Sequence, residues 1–228
     1  MKKYQCLSII ALLIWASTVN AQRIKGSAGF VKVGVASTTG AGNVLNQIAP
    51  VGVSGFSDQF YLLGGDGYYR TGNIIIGLDG YFGAQTVRSS GNSYGEGFTF
   101  HGNAKFGYVI LQGSRCWIYP IVGLGSSTLG MTTYTKTGSE KKDQQNSMIF
   151  RPSFDVGINA DFLINKSTTK DQRFGGLLLG LRAGYHLSSP GNDWRNDSNW
   201  NQISNLPTYT NQGFYAMLTI GGGGFVKK

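Results

Sequence analysis

Hydrophobic positions alternate with polar or small ones over long stretches of the chain. The period is two, the mark of strands that show unlike faces to unlike surroundings. The clearest run is Phe150 to Ile164. Its even positions are Phe150, Pro152, Phe154, Val156, Ile158, Ala160, Phe162 and Ile164, and its odd positions are Arg151, Ser153, Asp155, Gly157, Asn159, Asp161 and Leu163. The same split occurs from Phe98 to Ile110, from Ile74 to Ala84 and from Leu177 to Tyr185. Weaker alternation marks Ala28–Thr38, Gln59–Arg70, Trp117–Ser127 and Gly213–Phe225, which gives eight strands. They run to about ten residues, long for soluble strands and suited to a tilted strand that crosses a bilayer. A soluble sandwich also alternates, but its polar face is rich in Lys, Glu and Thr, whereas here it holds Gly, Ser and single charges.

The connections alternate in length. Long ones at 40–58, 88–97, 134–147 and 188–212 are separated by shorter ones at 70–73, 112–116 and 165–174. Long outer loops and short periplasmic turns follow this order in outer-membrane barrels. It places the N-terminus in the periplasm and the four long loops outside, although the 165–174 turn is longer than usual. A sheet with a greasy outer face cannot leave strand edges unpaired in hydrocarbon, so it must close. The expected fold is all-β, a closed antiparallel eight-stranded transmembrane β-barrel. Tyr61, Tyr69, Phe98, Phe100, Tyr108, Trp117 and Phe214 are candidates for its two interfacial aromatic girdles.

Three stretches carry a family resemblance: WIYPIVGLG (Trp117–Gly125), LLLGLRAGYHLS (Leu177–Ser188) and GFYAMLTIGGGGF (Gly213–Phe225). With the strand pattern, they resemble the small eight-stranded outer-membrane barrels of the OmpA/OmpX type, within the outer-membrane β-barrel domain family. The resemblance implies residence in the outer membrane, contact with its lipid and lipopolysaccharide, and assembly by the barrel-assembly machinery through the C-terminal strand. Val226, Lys227 and Lys228 follow the aromatic Phe225, a departure from the usual form of that signal.

The first residues supply an export signal. Lys2 and Lys3 precede a short apolar run from Ile9 to Ala16, and Val19-Asn20-Ala21 is a small-residue cleavage site. The apolar run is too short to span a bilayer. Domain boundaries are therefore 1–21 for the signal peptide and 22–228 for the barrel. Cys6 precedes the apolar run and leaves with the signal. Cys116 then stands alone, so neither an internal disulfide nor a cysteine metal site can form. Glycine is frequent, at 35 of 228 residues, and charged residues are 14% against about 25% in ordinary soluble domains. The net charge of +9 becomes +7 without Lys2 and Lys3. These charges are scattered along an exported chain, which argues against nucleic acid and for a solvated rim or acidic lipopolysaccharide.

Candidate chemistry is sparse, and no cofactor or metal is expected. His186 and Ser188 share a strand face, as in lipid A deacylases of the PagL type, and Asp193 or Asp197 could complete a triad. A polar cap at the strand end explains the pair more simply. The Gly221–Gly224 run lacks the Lys-Ser/Thr and helix of a phosphate loop, and His101 suits a hydrogen-bonded lumen residue. Trp194, Trp200, Tyr209 and several asparagines in 188–212 suit either surface recognition or a loop packed over the barrel mouth.

Eight strands enclose an interior that side chains fill, so a non-porin protein with a structural, adhesive or recognition role is expected. A lipid-modifying enzyme using His186 and Ser188, a conduit for small apolar molecules and a soluble lipocalin-like barrel are the alternatives. The strand phases turn Lys32, Asp66, Arg70, Asp79, Lys105, Arg151, Asp155, Asp161 and Arg182 inward, where charges must pair. Hairpin symmetry suggests Lys32 with Asp66, Asp79 with Lys105 and Asp155 with Arg182. On export, the protein should be recovered in the outer-membrane fraction with heat-modifiable migration on gels, and intact-mass measurement should find it lacking about 21 residues. Recovery as a soluble periplasmic protein would overturn this reading.

Overall fold

A computed structural model describes residues 24–88, 92–137, 140–164, 167–168, 173–196, 200–203 and 205–227. The expected signal peptide lies outside them. Eight long strands follow in order: β1 (Ile24–Thr38), β2 (Gln59–Thr71), β3 (Ile74–Arg88), β4 (Ser93–Tyr108), β5 (Cys116–Thr137), β6 (Glu140–Leu163), β7 (Arg173–Ser188) and β8 (Gly213–Lys227). A helix, α1 (Ala41–Ile48), lies in the first long connection. Each long strand pairs antiparallel with its sequence neighbours, and β8 pairs with β1, so the ring is closed.

The registers fix the shape. A path across the strands from Gly26 passes through Arg70, Ile75, Gly107, Ile121, Gly157, Gly184 and Tyr215 and returns to β1 at Ala36. The return point is ten residues farther along the same strand. With strands about 4.8 Å apart and a rise of about 3.3 Å per residue, this stagger tilts them by about 40°.

Alternation sorts the residues by face. Val31, Val33, Val35, Leu63, Ile76, Leu78, Leu124, Ile158, Leu181, Leu218 and Ile220 are exposed on the outside, while Lys32, Lys105, Asp155, Asp161 and Arg182 are buried inside. That inverts a water-soluble barrel, whose apolar face points inward, and it is the arrangement of a transmembrane β-barrel. Tyr61 and Phe214 are outward near one rim, and Tyr69 near the other. Trp117, a girdle candidate from sequence, instead points into the lumen and is buried. The phase of β5 decides this, because Trp117 shares the inward parity of Tyr119 and Ile121. Phe225 also faces inward, so Phe214 is the lipid-facing aromatic of β8.

Two long connections are shorter than the sequence pattern suggested. Most of 88–97 and 134–147 is strand, because β4 begins at Ser93 and β5 and β6 continue to Thr137 and from Glu140. In this extension both faces are polar, so alternation disappears while Thr and Tyr retain their preference for extended backbone. Register slips between Thr133 and Thr135, and Asp143 adopts a φ of 56°. In the first connection Asp58 fixes the start of α1. Its carboxylate accepts the backbone N–H groups of Gly40 at 3.1 Å and Gly42 at 2.8 Å, satisfying donors that a helix N-terminus leaves open.

The outward face generates a test. Leu78 is 70% exposed in the middle of the outward apolar run from Ile74 to Phe82 on β3, so Leu78→Arg should be close to neutral in a soluble protein. In lipid it should cost about 2–4 kcal/mol, against about 0–1 kcal/mol for Tyr61→Arg near the rim. Reversible unfolding in lipid vesicles would read the difference.

Candidate functional site

The lumen is filled at three levels. At the end with the short turns, Ile24, Phe30, Ile75, Trp117, Leu163, Leu178 and Phe225 form an apolar floor. Phe225 packs on Trp117 and Phe174, with ring centroids 5.3 and 5.5 Å away. At the other end, α1 and the last long connection form a cap. Val44 and Leu45 of α1, Val53, Phe56, Trp194 and Tyr209 pack on the inward residues Phe60, Leu129, Ile149 and Met217. Trp194 is fully buried and donates its indole N–H to the Pro207 carbonyl at 2.9 Å. Burial pushes the Tyr209 hydroxyl well above the usual phenol range. Trp200, from the same connection, stays exposed.

Between floor and cap lies a charged layer. Asp66 accepts from Arg182 Nε at 2.8 Å and pairs with Lys105 Nζ at 3.2 Å. Asp79 pairs with Lys32 at 2.5 Å and Lys105 at 3.7 Å. Asp161 accepts from Arg182 Nη1 at 2.7 Å, Tyr68 Oη at 2.8 Å, Tyr119 Oη at 3.0 Å and Trp117 Nε1 at 3.1 Å. Closer to the cap, Asp155 meets His101 Nε2 at 2.6 Å and the amide of Asn103. Arg70 lies apart at the floor, bonded to Gln112 and the Gly72 carbonyl, and Arg151 lies at the opposite rim against Asp193.

Of the three ion pairs read from hairpin symmetry, Asp79–Lys105 is present and the other two are replaced. Lys32 stands opposite Gly64, and Asp66 opposite Phe30. The axis of that hairpin is therefore displaced from the loop midpoint, and Lys32 reaches Asp79 two strands away. Asp155 stands opposite His186, four residues from Arg182, and Arg182 turns to Asp161 and Asp66. Symmetry about a connection ignores cross-lumen reach, which in so narrow a barrel exceeds the spacing of neighbouring strands. Tyr68, Tyr119 and Trp117 as partners of Asp161 escaped sequence reasoning. Their position on inward phases beside an inward carboxylate was the available signal.

His186 and Ser188 both sit on the inward phase of β7. His186 Nε2 contacts Asn211 Oδ1 at 3.1 Å, and its Nδ1 is 3.5 Å from the Tyr81 hydroxyl. Ser188 Oγ is buried without a hydrogen-bond partner among the described residues, and Asp193 is engaged by Arg151. Asp197 lies outside the described residues. The described geometry therefore contains no Ser–His–acid relay. Among the described residues there is also no group of three or more His, Cys, Asp or Glu placed to hold a metal.

Eight closed strands, an apolar exterior and a charged, filled interior decide the architecture. This is the fold of the small outer-membrane β-barrels. No protein-family model matches the chain, and no curated protein sequence matches it significantly. Among solved structures, Neisserial surface protein A is 11% identical, covering 90% of this chain and 97% of its own, with a TM-score of 0.32. A major outer membrane protein from Thermus thermophilus is 9% identical over 88% and 98%, with a TM-score of 0.40. The outer membrane protein AlkL is 14% identical over 92% of both chains, with a TM-score of 0.32. At such identities and superpositions the resemblance carries nothing about activity or partners, and the barrel rests on its own strand pairing.

Asp66 holds two buried cations, Lys105 and Arg182, and its side chain is itself fully buried. Asp66→Ala leaves Lys105 and Arg182 buried with a partner missing and should cost on the order of 3–5 kcal/mol. Asp79→Ala should cost less, since Asp79 is partly exposed to lumen solvent. Denaturant unfolding in vesicles should rank the two in that order.

Proposed function

We propose that this chain is an integral outer-membrane barrel that does not conduct, and that it works at the cell surface through its outer connections in a structural, adhesive or recognition role. The observation that carries this reading is the filled lumen. Apolar floor, charged layer and apolar cap follow one another from Phe225 to Trp194. In this reading the short turns lie in the periplasm, and α1, the β5–β6 extension and 189–212 lie outside. Outer-membrane lipid and lipopolysaccharide surround the strands, and the assembly machinery engages β8.

The enzyme alternative finds little support in the geometry. His186 points into a filled lumen, away from the acyl chains that a lipid-modifying enzyme must reach. The filled interior likewise favours no continuous path for an apolar solute.

Purified protein reconstituted into planar bilayers should give no large, steady conductance at neutral pH. Stable porin-sized channels would overturn the non-conducting part of the proposal while leaving the membrane fold in place. Whole cells with and without 189–212 should differ in binding to a surface or partner if the connections are the working part.

A further inference from the structure

The strands end unevenly. β5 and β6 run to 22 and 24 residues while β1 and β2 have 15 and 13. On one side of the barrel a sheet of β4, β5 and β6 therefore rises past the apolar band. The two-residue strand Arg195–Asn196 pairs with the edge of β6, setting Arg195 opposite Met148. Directly paired residues share a sheet face, so Arg195 belongs to the outward face that carries Met148 and Phe150.

This outward face combines cations with aromatic rings. Arg195 lies over the Trp200 ring at 5.5 Å and donates to the Trp200 carbonyl at 3.2 Å. Met148, Phe150, Arg195 and Trp200, with Asp193 at one side, line a cavity of about 350 Å³. Phe150 and Trp200 are each 54% exposed. Farther from the band, Tyr94 and Tyr134 stack at 5.5 Å, with Lys136 4.6 Å from the Tyr94 ring and Lys141 4.1 Å from the Tyr134 ring. Glu96 bonds Lys141 and Tyr134. Among the described residues, Asp193 is taken up by Arg151, Glu140 by Lys142 and Asp143 by the Thr135 hydroxyl, so Lys136, Lys141 and Arg195 face the carboxylate of Glu96 and leave this face cationic.

Aromatic residues at the edge of a hydrocarbon band anchor in the headgroup layer, and cations above them attract anionic headgroups. We infer that the outward face of the β4–β6 extension binds a phosphorylated glycolipid of the outer leaflet. An acyl chain lies against Met148 and Phe150, Arg195 meets a phosphate beside Trp200, and the headgroup saccharide runs up along Lys136 and Lys141, whose ammonium groups lie over the rings of Tyr94 and the buried Tyr134. The outward aim of these side chains argues for a ligand that stands alongside the barrel rather than one that arrives from above. This inference rests on the outer-membrane reading.

The test uses full-length mature protein refolded into nanodiscs, with retained lipid counted by native mass spectrometry. Discs contain a zwitterionic phospholipid alone, the same with an anionic glycerophospholipid, or the same with bis-phosphorylated lipid A or its dephosphorylated form. Wild type should retain lipid A, with at least tenfold less of the other lipids. Arg195→Gln combined with Lys136→Gln should lower that retention at least tenfold while heat-modifiable migration stays unchanged. Equal retention by wild type and variant, or equal retention of the dephosphorylated lipid, overturns the site. Displacement by millimolar inorganic phosphate would reveal a simple anion site and also overturn it. Failure of wild type to insert at all would instead sink the membrane reading, and that outcome is visible before any lipid is counted.

Discussion

Backbone hydrogen bonding in hydrocarbon is the constraint from which the rest of the structure follows. A strand in lipid has no water to satisfy an open edge, so the sheet must close. Closure with eight strands staggered by ten residues leaves an interior only a few side chains wide. The chain meets that limit by setting bulky inward residues opposite glycine on the next strand. Tyr81 faces Gly64, Tyr68 faces Gly77, Tyr215 faces Gly184 and Phe30 faces Gly221. A Cβ added at Gly77 would approach Tyr68 Cβ to 2.8 Å. At these positions glycine makes room at the inner wall for the large side chain opposite, whereas Gly29 and Gly224 have open space about them.

The same complementarity makes room for charge. Lys32 lies opposite Gly64, Lys105 opposite both Gly77 and Gly123, and Asp161 opposite Gly180. A Cβ at Gly180 would come within 2.7 Å of Arg182 Nη1 and 2.8 Å of Asp161 Oδ1, inside their ion pair. Three cations, Lys32, Lys105 and Arg182, then meet three carboxylates, Asp66, Asp79 and Asp161. Buried charges cost more than they return unless paired and hydrogen-bonded, and Asp161 carries three ring donors besides its guanidinium. Most of these pairs join strands that are not neighbours: β1 to β3, β2 to β4, β2 to β7. They brace the barrel across its width, which the ladder hydrogen bonds along its wall do not do.

The strand phases were legible in the sequence because membrane and lumen differ so sharply. From Phe150 to Ile164 each step changes the surroundings from hydrocarbon to a polar interior, and the side chains record it. Partners were not legible to the same degree. Register depends on where a hairpin turns, and the first connection hides a helix whose start is fixed by Asp58, seventeen residues beyond Ala41. Lys32 consequently meets Asp79 on β3, a contact that symmetry about one hairpin cannot express. Trp117 was misplaced because an aromatic near a strand end suits either a girdle or a floor, and only the phase of β5 separates them. Above the membrane both faces of β5 and β6 meet water, so the period of two vanished there although the strands continue.

The filled interior shifts the question of function to the outside. A lumen closed at three levels gives a stiff support whose inner residues are committed to one another: Asp66 to two cations, His101 to Asp155, His186 to Asn211. Outside the lumen the contacts are more open to solvent: Trp200 is 54% exposed although Arg195 lies over it, and the Glu96–Lys141 pair of the β4–β6 extension is exposed at both partners. The two ends also differ in kind. The floor is built by the strands' own inward residues, whereas the cap borrows α1 and Trp194 from connections. A connection that seals the barrel with one side chain and exposes its neighbour, as Trp194 and Trp200 do, ties the outer surface to the core. A ligand held by Trp200 would therefore act on a segment anchored in the barrel through Trp194.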